Sequence, residues 1–147
     1  MAIGALLGGA EEGVVEEWAA YGHLLGISFQ VVDDILGIWG DAEETGKSAA
    51  SDIVTRKKTL PVLYALDWER EQGLSDLADL YARPTIEKAD VAQALALLER
   101  AGARKYAQRW ADDRQEQGLA HLRDAGGQPD VTAALAVLTL TLLYRLS

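Results

Sequence analysis

The stretch Phe29-Gln30-Val31-Val32-Asp33-Asp34-Ile35-Leu36-Gly37 sets two adjacent carboxylates inside an otherwise apolar run. Around it, apolar residues recur at Val14, Val15, Trp18, Tyr21, Leu24, Leu25, Val31, Val32, Ile35, Leu36 and Trp39. That is the three-to-four spacing of one long helix with a wide buried stripe. Gly40, tolerant of left-handed backbone, ends it. Gln30, Asp33, Asp34 and Gly37 stand at i, i+3, i+4 and i+7, so they share one face of that helix. Two carboxylates among apolar neighbours are costly to bury without a counter-charge. Oxygen donors with no cysteine or histidine beside them favour Mg2+ over Zn2+. Mg2+ is commonly shared between one or two carboxylates and substrate phosphates.

Downstream, Gly40 to Lys58 is polar and without a clear period, which predicts a long loop; long loops are often functional. It carries Lys47, Arg56, Lys57 and Lys58, the densest positive cluster of the chain. Acid on a helix followed by base in the adjoining loop suits a metal-bound diphosphate. An Asp-Asp pair alone usually marks an exposed acidic spot, and Lys-Lys alone a solvated surface; the combination with Gln30 and the Gly46-Lys47 turn carries the reading. Further helices are predicted from Thr59 to about Glu71 with Pro61 in the first turn, over Leu74–Tyr81, over Val91–Arg100 behind an Asp90 cap, over Ala103–Ala125, and from an Asp130 cap to the chain's end. No segment alternates as a strand does, and no repeat of roughly 20–50 residues recurs. The fold class expected is all-α.

Length and composition narrow the classes. The chain has 147 residues, enough for one domain with a real core. Hydrophobic residues make up 49% and charged residues 25%, the profile of a soluble globular protein. With no cysteine there is neither a disulfide nor a thiol nucleophile. A formal net charge of -9 argues against nucleic acid and anionic membrane surfaces as partners. The most apolar stretch, Val131–Leu143, is shorter than the roughly 20 residues of a spanning helix, and no basic region precedes the apolar start, so a cytoplasmic location is the default.

Other features read as ordinary structure. Gly40 to Ser48 resembles a phosphate-binding P-loop but has one residue too many between its glycines and acids where phosphates would sit. Asp112-Asp113-Arg114-Gln115-Glu116 has a metal-motif shape, yet its arginine neighbours mark a solvated helix face. His23 and His121 are expected as satisfied core or interface residues. Trp18, Trp39, Trp68 and Trp110 are expected to pack, with a hydrocarbon-pocket role for Trp39 as the alternative.

Phe29-Gln30, Asp33-Asp34, Gly40-Asp41, Gly46-Lys47, Ser51-Asp52 and Lys57-Lys58-Thr59-Leu60-Pro61 together resemble, in order and spacing, the second aspartate-rich region of the trans-isoprenyl (polyprenyl) diphosphate synthases. Gly4-Ala5-Leu6-Leu7-Gly8-Gly9 is similar to the family's stretch just upstream. The likeness is strong from about Ile3 to Leu66. It implies a partial isoprenoid-synthase-type helical bundle, the C-terminal half of one catalytic domain spanning 1–147. Such enzymes elongate an allylic diphosphate with isopentenyl diphosphate, using Mg2+ held by two facing aspartate-rich motifs. By the same resemblance Asp33 and Asp34 would bind Mg2+. Lys47 and Lys57 would contact the allylic diphosphate, and Phe29 and Gln30 would border the isopentenyl site. Gly37 stands where the family often has a third aspartate, and Asp41 is the candidate to compensate. The first aspartate-rich motif of the family is not present in this sequence. The expectation is therefore a half-domain inactive by itself, a homodimer or a chain associated with the missing half. Alternatives are a non-catalytic partner subunit of a full-length synthase or half of a class I terpene cyclase; the Lys57–Pro61 segment favours the synthase.

Overall fold

A computed structural model describes residues 1–40 and 50–143. Eight α-helices follow in these residues: α1 (Ala2–Leu7), α2 (Glu12–Trp39), α3 (Ser51–Val54), α4 (Leu60–Gln72), α5 (Asp76–Ala82), α6 (Val91–Arg100), α7 (Ala103–Asp124) and α8 (Pro129–Leu143). One turn of 3-10 helix, Lys88–Asp90, precedes α6. No strand occurs among the described residues, so the all-α expectation holds. No helix among them is long and apolar enough to cross a membrane.

The chain divides into two compact units. One comprises Met1–Gln30 and Trp110–Ser147. In it Tyr21, fully buried, shares a 2.7 Å hydrogen bond with the Thr139 hydroxyl of α8. Buried Ser28 donates to the Ala111 carbonyl of α7 at 2.9 Å, which satisfies a hydroxyl that burial would otherwise penalise. Gly118 allows α7 to approach α2 closely: a Cβ there would meet the Leu24 Cβ at 3.4 Å.

The other unit is Val31–Arg109. Its core gathers Ile38, Ile53, Val62, Leu77, Leu80 and Leu98 from five helices. Pro61 sits in the first turn of α4, and Gly73 ends that helix at φ 68°, a conformation costly for residues with a Cβ. Glu69 of α4 is 2% exposed. Its carboxylate accepts the Leu77 and Ala78 amides at the start of α5 and a bond from Arg100 at 3.0 Å. Ser75, the residue at the cap of α5, makes no side-chain cap bond, so Glu69 caps this helix from a distance.

Several boundaries differ from the sequence reading. A four-residue helix, α3, lies within the stretch expected as loop. Asp90 does not cap α6; its backbone is helical and its carboxylate instead accepts the Glu87 amide and Arg83. The last helix starts at Pro129, which places Asp130 in the first turn, where its charge opposes the positive helix end.

Candidate functional site

Three helices, α2, α3 and α4, and the turn that joins α3 to α4 build the site. On α2, Asp34 is 7% exposed, while Asp33, one residue earlier, is half-buried. Val31, Val32, Ile35 and Ile38 are drawn into the core, and that rotation carries Asp34 inward with them. After α3 the chain turns sharply at Arg56, whose φ of 54° is left-handed, and the Lys57 amide bonds the Asp52 carbonyl at 2.9 Å. A non-glycine residue in that region costs about 1 kcal/mol. The turn delivers the Lys57 ammonium to two carboxylates at once: Asp34 Oδ1 at 2.8 Å and Asp52 Oδ2 at 3.3 Å. The amide of Leu60, at the start of α4, points toward Asp34 Oδ2 at 3.5 Å, so a positive helix end adds to the field at that carboxylate.

Gly37 explains how Asp52 enters. A Cβ at residue 37 would lie 2.4 Å from Asp52 Oδ2 and 2.5 Å from its Cγ. The Asp52 carboxylate thus fills the space that a side chain at 37 would need. Asp52, of the Ser51-Asp52 pair, is a site residue that the sequence reading does not assign; the one pointer to it in the sequence is the glycine at i+3 from Asp34.

Electrostatics follow the geometry. Donation to Asp34 pushes the Lys57 ammonium above its ordinary pKa of 10.5, and the charges of Asp34 and Asp52 add to this. Burial pushes the Tyr81 phenol up to about 12, with the Asp52 charge contributing. Among the described residues, the buried polar atoms Thr59 Oγ1, Trp39 Nε1 and Tyr81 Oη of this unit find no hydrogen-bond partner. Trp39 packs against the core of its unit, with the Arg104 guanidinium 5.8 Å from its ring centre, in keeping with the packing role.

Of the residues singled out in sequence, Asp34 and Lys57 are in direct contact. Phe29, 41% exposed, and Gln30, also exposed, lie on α2 in the first unit. Asp41 and Lys47 lie outside the described residues. Neither histidine is buried: His23 is exposed, and His121 Nδ1 lies within hydrogen-bond distance of the Glu17 carboxylate, at 2.6 Å. Asp112, Asp113 and Glu116 are exposed on α7, as a solvated face requires.

Among the described residues no three acidic or histidine side chains converge as a ready-made metal cage. The donor set nevertheless fits Mg2+. Asp34 and Asp52 offer hard carboxylate oxygens at one place, and Mg2+ takes its remaining positions from water and phosphate. A lysine beside them matches the phosphate that such an ion would share.

The polyprenyl synthetase family profile matches residues 1–98, and the chain belongs to that family. It is 44% identical over 133 residues to a geranylgeranyl diphosphate synthase of Mycobacterium tuberculosis, covering 90% of this chain and 38% of that one. It is 39% identical over 124 residues to heptaprenyl diphosphate synthase component 2 of Geobacillus stearothermophilus, covering 83% of this chain and 37% of that one. The fold matches the crystal structure of a polyprenyl synthetase from Streptomyces coelicolor A3(2) with a TM-score of 0.80 at 35% identity, over 97% of this chain and 44% of that one. It also matches a Corynebacterium glutamicum geranylgeranyl pyrophosphate synthase complexed with isoprenyl diphosphate and magnesium, with a TM-score of 0.82 at 29% identity, over 93% of this chain and 39% of that one. The chain therefore spans less than half the length of these relatives.

Proposed function

We propose that this chain furnishes the second aspartate-rich side of a prenyl diphosphate synthase site, and that it does not elongate prenyl chains without the complementary half of the domain. The observation that carries the reading is the pairing of Lys57 with Asp34 and Asp52 at 2.8 and 3.3 Å. Bound Mg2+ would supply Lewis-acid charge that stabilises a departing diphosphate. Asp33, Asp34 and Asp52 would hold that ion, with Asp41 a further candidate. Lys57, and Lys47 from the stretch outside the described residues, would bind the diphosphate of the allylic substrate. In that role Lys57 exchanges one set of anionic oxygens for another, so it stays charge-paired with and without substrate. Phe29 and Gln30 would border the isopentenyl diphosphate.

The test is a thermal melt of the purified chain with inorganic pyrophosphate and Mg2+. A ligand at about 100 times its dissociation constant adds about 2.7 kcal/mol of apparent stability. Protection that requires both Mg2+ and pyrophosphate, and that Lys57→Ala removes, is expected. No protection at saturating ligand refutes the site. In parallel, dimethylallyl, geranyl and farnesyl diphosphates with isopentenyl diphosphate and Mg2+ should give no elongation; clear elongation by this chain alone refutes the inactive-half reading.

A second reading has one observation in its favour: a 39% identical relative is named as a component of a heptaprenyl diphosphate synthase. The chain would then be a non-catalytic subunit that docks on a full-length synthase and adjusts its product. Co-purification with such a synthase, and a changed product length, would distinguish it.

A further inference from the structure

We propose that Arg56 is a positioning residue of this site: through a bond to the Arg83 carbonyl at the end of α5, it holds the left-handed turn that aims Lys57 at the anionic ligand. The proposal deepens the functional reading above and rests on it. The turn closes α3 with two bonds. The Arg56 amide donates to the Ile53 carbonyl at 2.9 Å, and the Lys57 amide to the Asp52 carbonyl at 2.9 Å, the paired pattern of a left-handed helix cap. Glycine fills the left-handed position of such a cap without steric cost. Arg56 holds it at a φ of 54° with a full side chain. Ala50, at the other end of α3, is the one other non-glycine residue at positive φ among the described residues.

A contact remote in sequence accompanies that conformation. Arg56 Nη1 donates to the Arg83 carbonyl at 2.5 Å, 27 residues on. That carbonyl is itself fixed from both sides. Arg83 follows the last turn of α5 in extended backbone, and Pro84 comes next with its locked φ. The Arg83 guanidinium in turn bonds Asp90 Oδ1 at 3.1 Å. The Arg56 side chain therefore ties the cap of α3 to a rigid point on a different helix.

The cap governs Lys57. Its amide meets the Asp52 carbonyl at 2.9 Å and its ammonium meets the Asp52 carboxylate at 3.3 Å, with Asp34 Oδ1 at 2.8 Å. If residue 56 leaves the left-handed region, the Lys57 amide loses Asp52 and the side chain swings away from both carboxylates. The Lys57 side chain is 44% exposed, so packing alone restrains it little. A lysine already held in place loses less freedom when a diphosphate takes up its ammonium. Glycine at this position would permit the turn but leave it without the tether.

The experiment uses the purified 147-residue chain carrying isotope-labelled lysine, and its first arm needs no ligand. The Lys57 ammonium, held between two carboxylates, should give a slowly exchanging NMR resonance that Lys57→Arg removes. Arg56→Gly and Arg56→Asn accept a left-handed φ but cannot reach Arg83. Both should keep the fold, measured by circular dichroism, and lose that resonance, whereas Arg56→Lys, with a donor on a long stem, should retain it. The second arm is titration calorimetry with Mg2+ and pyrophosphate. Binding should be about fivefold weaker in Arg56→Gly and Arg56→Asn and undiminished in Arg56→Lys, at low and at high salt alike. A resonance absent from the parent chain, or unchanged in the glycine and asparagine variants, overturns the proposal even if affinity falls, because Arg56 would then act on the ligand directly or through its charge. So does a weakening that high salt abolishes. A resonance lost as expected, in a chain that binds no pyrophosphate, strikes the functional reading instead and leaves the tether standing.

Discussion

Replacing Gly37 by alanine tests the arrangement most directly. On an open helical position, glycine to alanine stabilises by about 1 kcal/mol, because the backbone loses less entropy on folding. Gly26 is such a position, since a Cβ there would touch nothing within 4 Å. At Gly37 the new methyl would stand 2.4, 2.5 and 2.9 Å from Asp52 Oδ2, Cγ and Oδ1, where ordinary contact begins near 3.4 Å. The carboxylate must retreat by about 1 Å, and overpacking a filled site of this kind costs about 1–3 kcal/mol. Gly26→Ala should therefore raise unfolding free energy by about 1 kcal/mol, and Gly37→Ala should leave it unchanged or lower it by up to about 2 kcal/mol. The displaced carboxylate also leaves the 3.3 Å contact with Lys57, so Mg2+–pyrophosphate protection should weaken. Urea unfolding of Gly26→Ala, Gly37→Ala, Asp52→Ala and the Gly37→Ala/Asp52→Ala pair measures the effect, with the double variant recovering the helix gain. If Gly37→Ala and Gly26→Ala agree within about 0.5 kcal/mol, Asp52 does not occupy that space and the account of the site is wrong.

Three other outcomes follow from the same geometry. Glu69→Ala should destabilise by about 2–4 kcal/mol, because it strands the Leu77 and Ala78 amides and removes one partner of Arg100, whereas Glu69→Gln, which keeps an acceptor, should cost less; denaturant midpoints decide this. Lys57 binds its proton more tightly folded than unfolded, so its share of stability is complete below pH 10.5 and is lost as pH rises through its raised folded value; Lys57→Met should lower the melting temperature at neutral pH, where that share is full and Asp34 loses its counter-charge, and should flatten the alkaline decline. Tyr81, raised from 10.0 to about 12, stays protonated while the unfolded chain ionises, so stability falls across that window, and Tyr81→Phe should remove both this decline and one phenolate step near pH 12 in an ultraviolet titration.

Sequence alone settled the helical class and the long α2. An apolar stripe repeating over 28 residues has one economical burial, and Gly40, Pro61 and Gly73 punctuate the chain through local backbone sterics. It also pointed to Asp33 and Asp34 on that helix and to the basic cluster Lys47, Arg56, Lys57 and Lys58, with the family resemblance marking Lys47 and Lys57; that Asp34 and Lys57 are the pair in contact comes from the tertiary structure. It did not reach the small helix α3, whose four residues carry too little periodicity to register, nor the remote capping of α5 by Glu69. Asp90 as a cap failed because a competing partner, Arg83, is available only in three dimensions. The role of Asp52 belongs to tertiary structure for the same reason. Gly37 and Asp52 stand 15 positions apart, and nothing local makes one vacate the space that the other fills. Periodicity and backbone sterics act within a few residues and can be read along a chain; which carboxylate enters a gap on a distant helix depends on the packing of the whole unit.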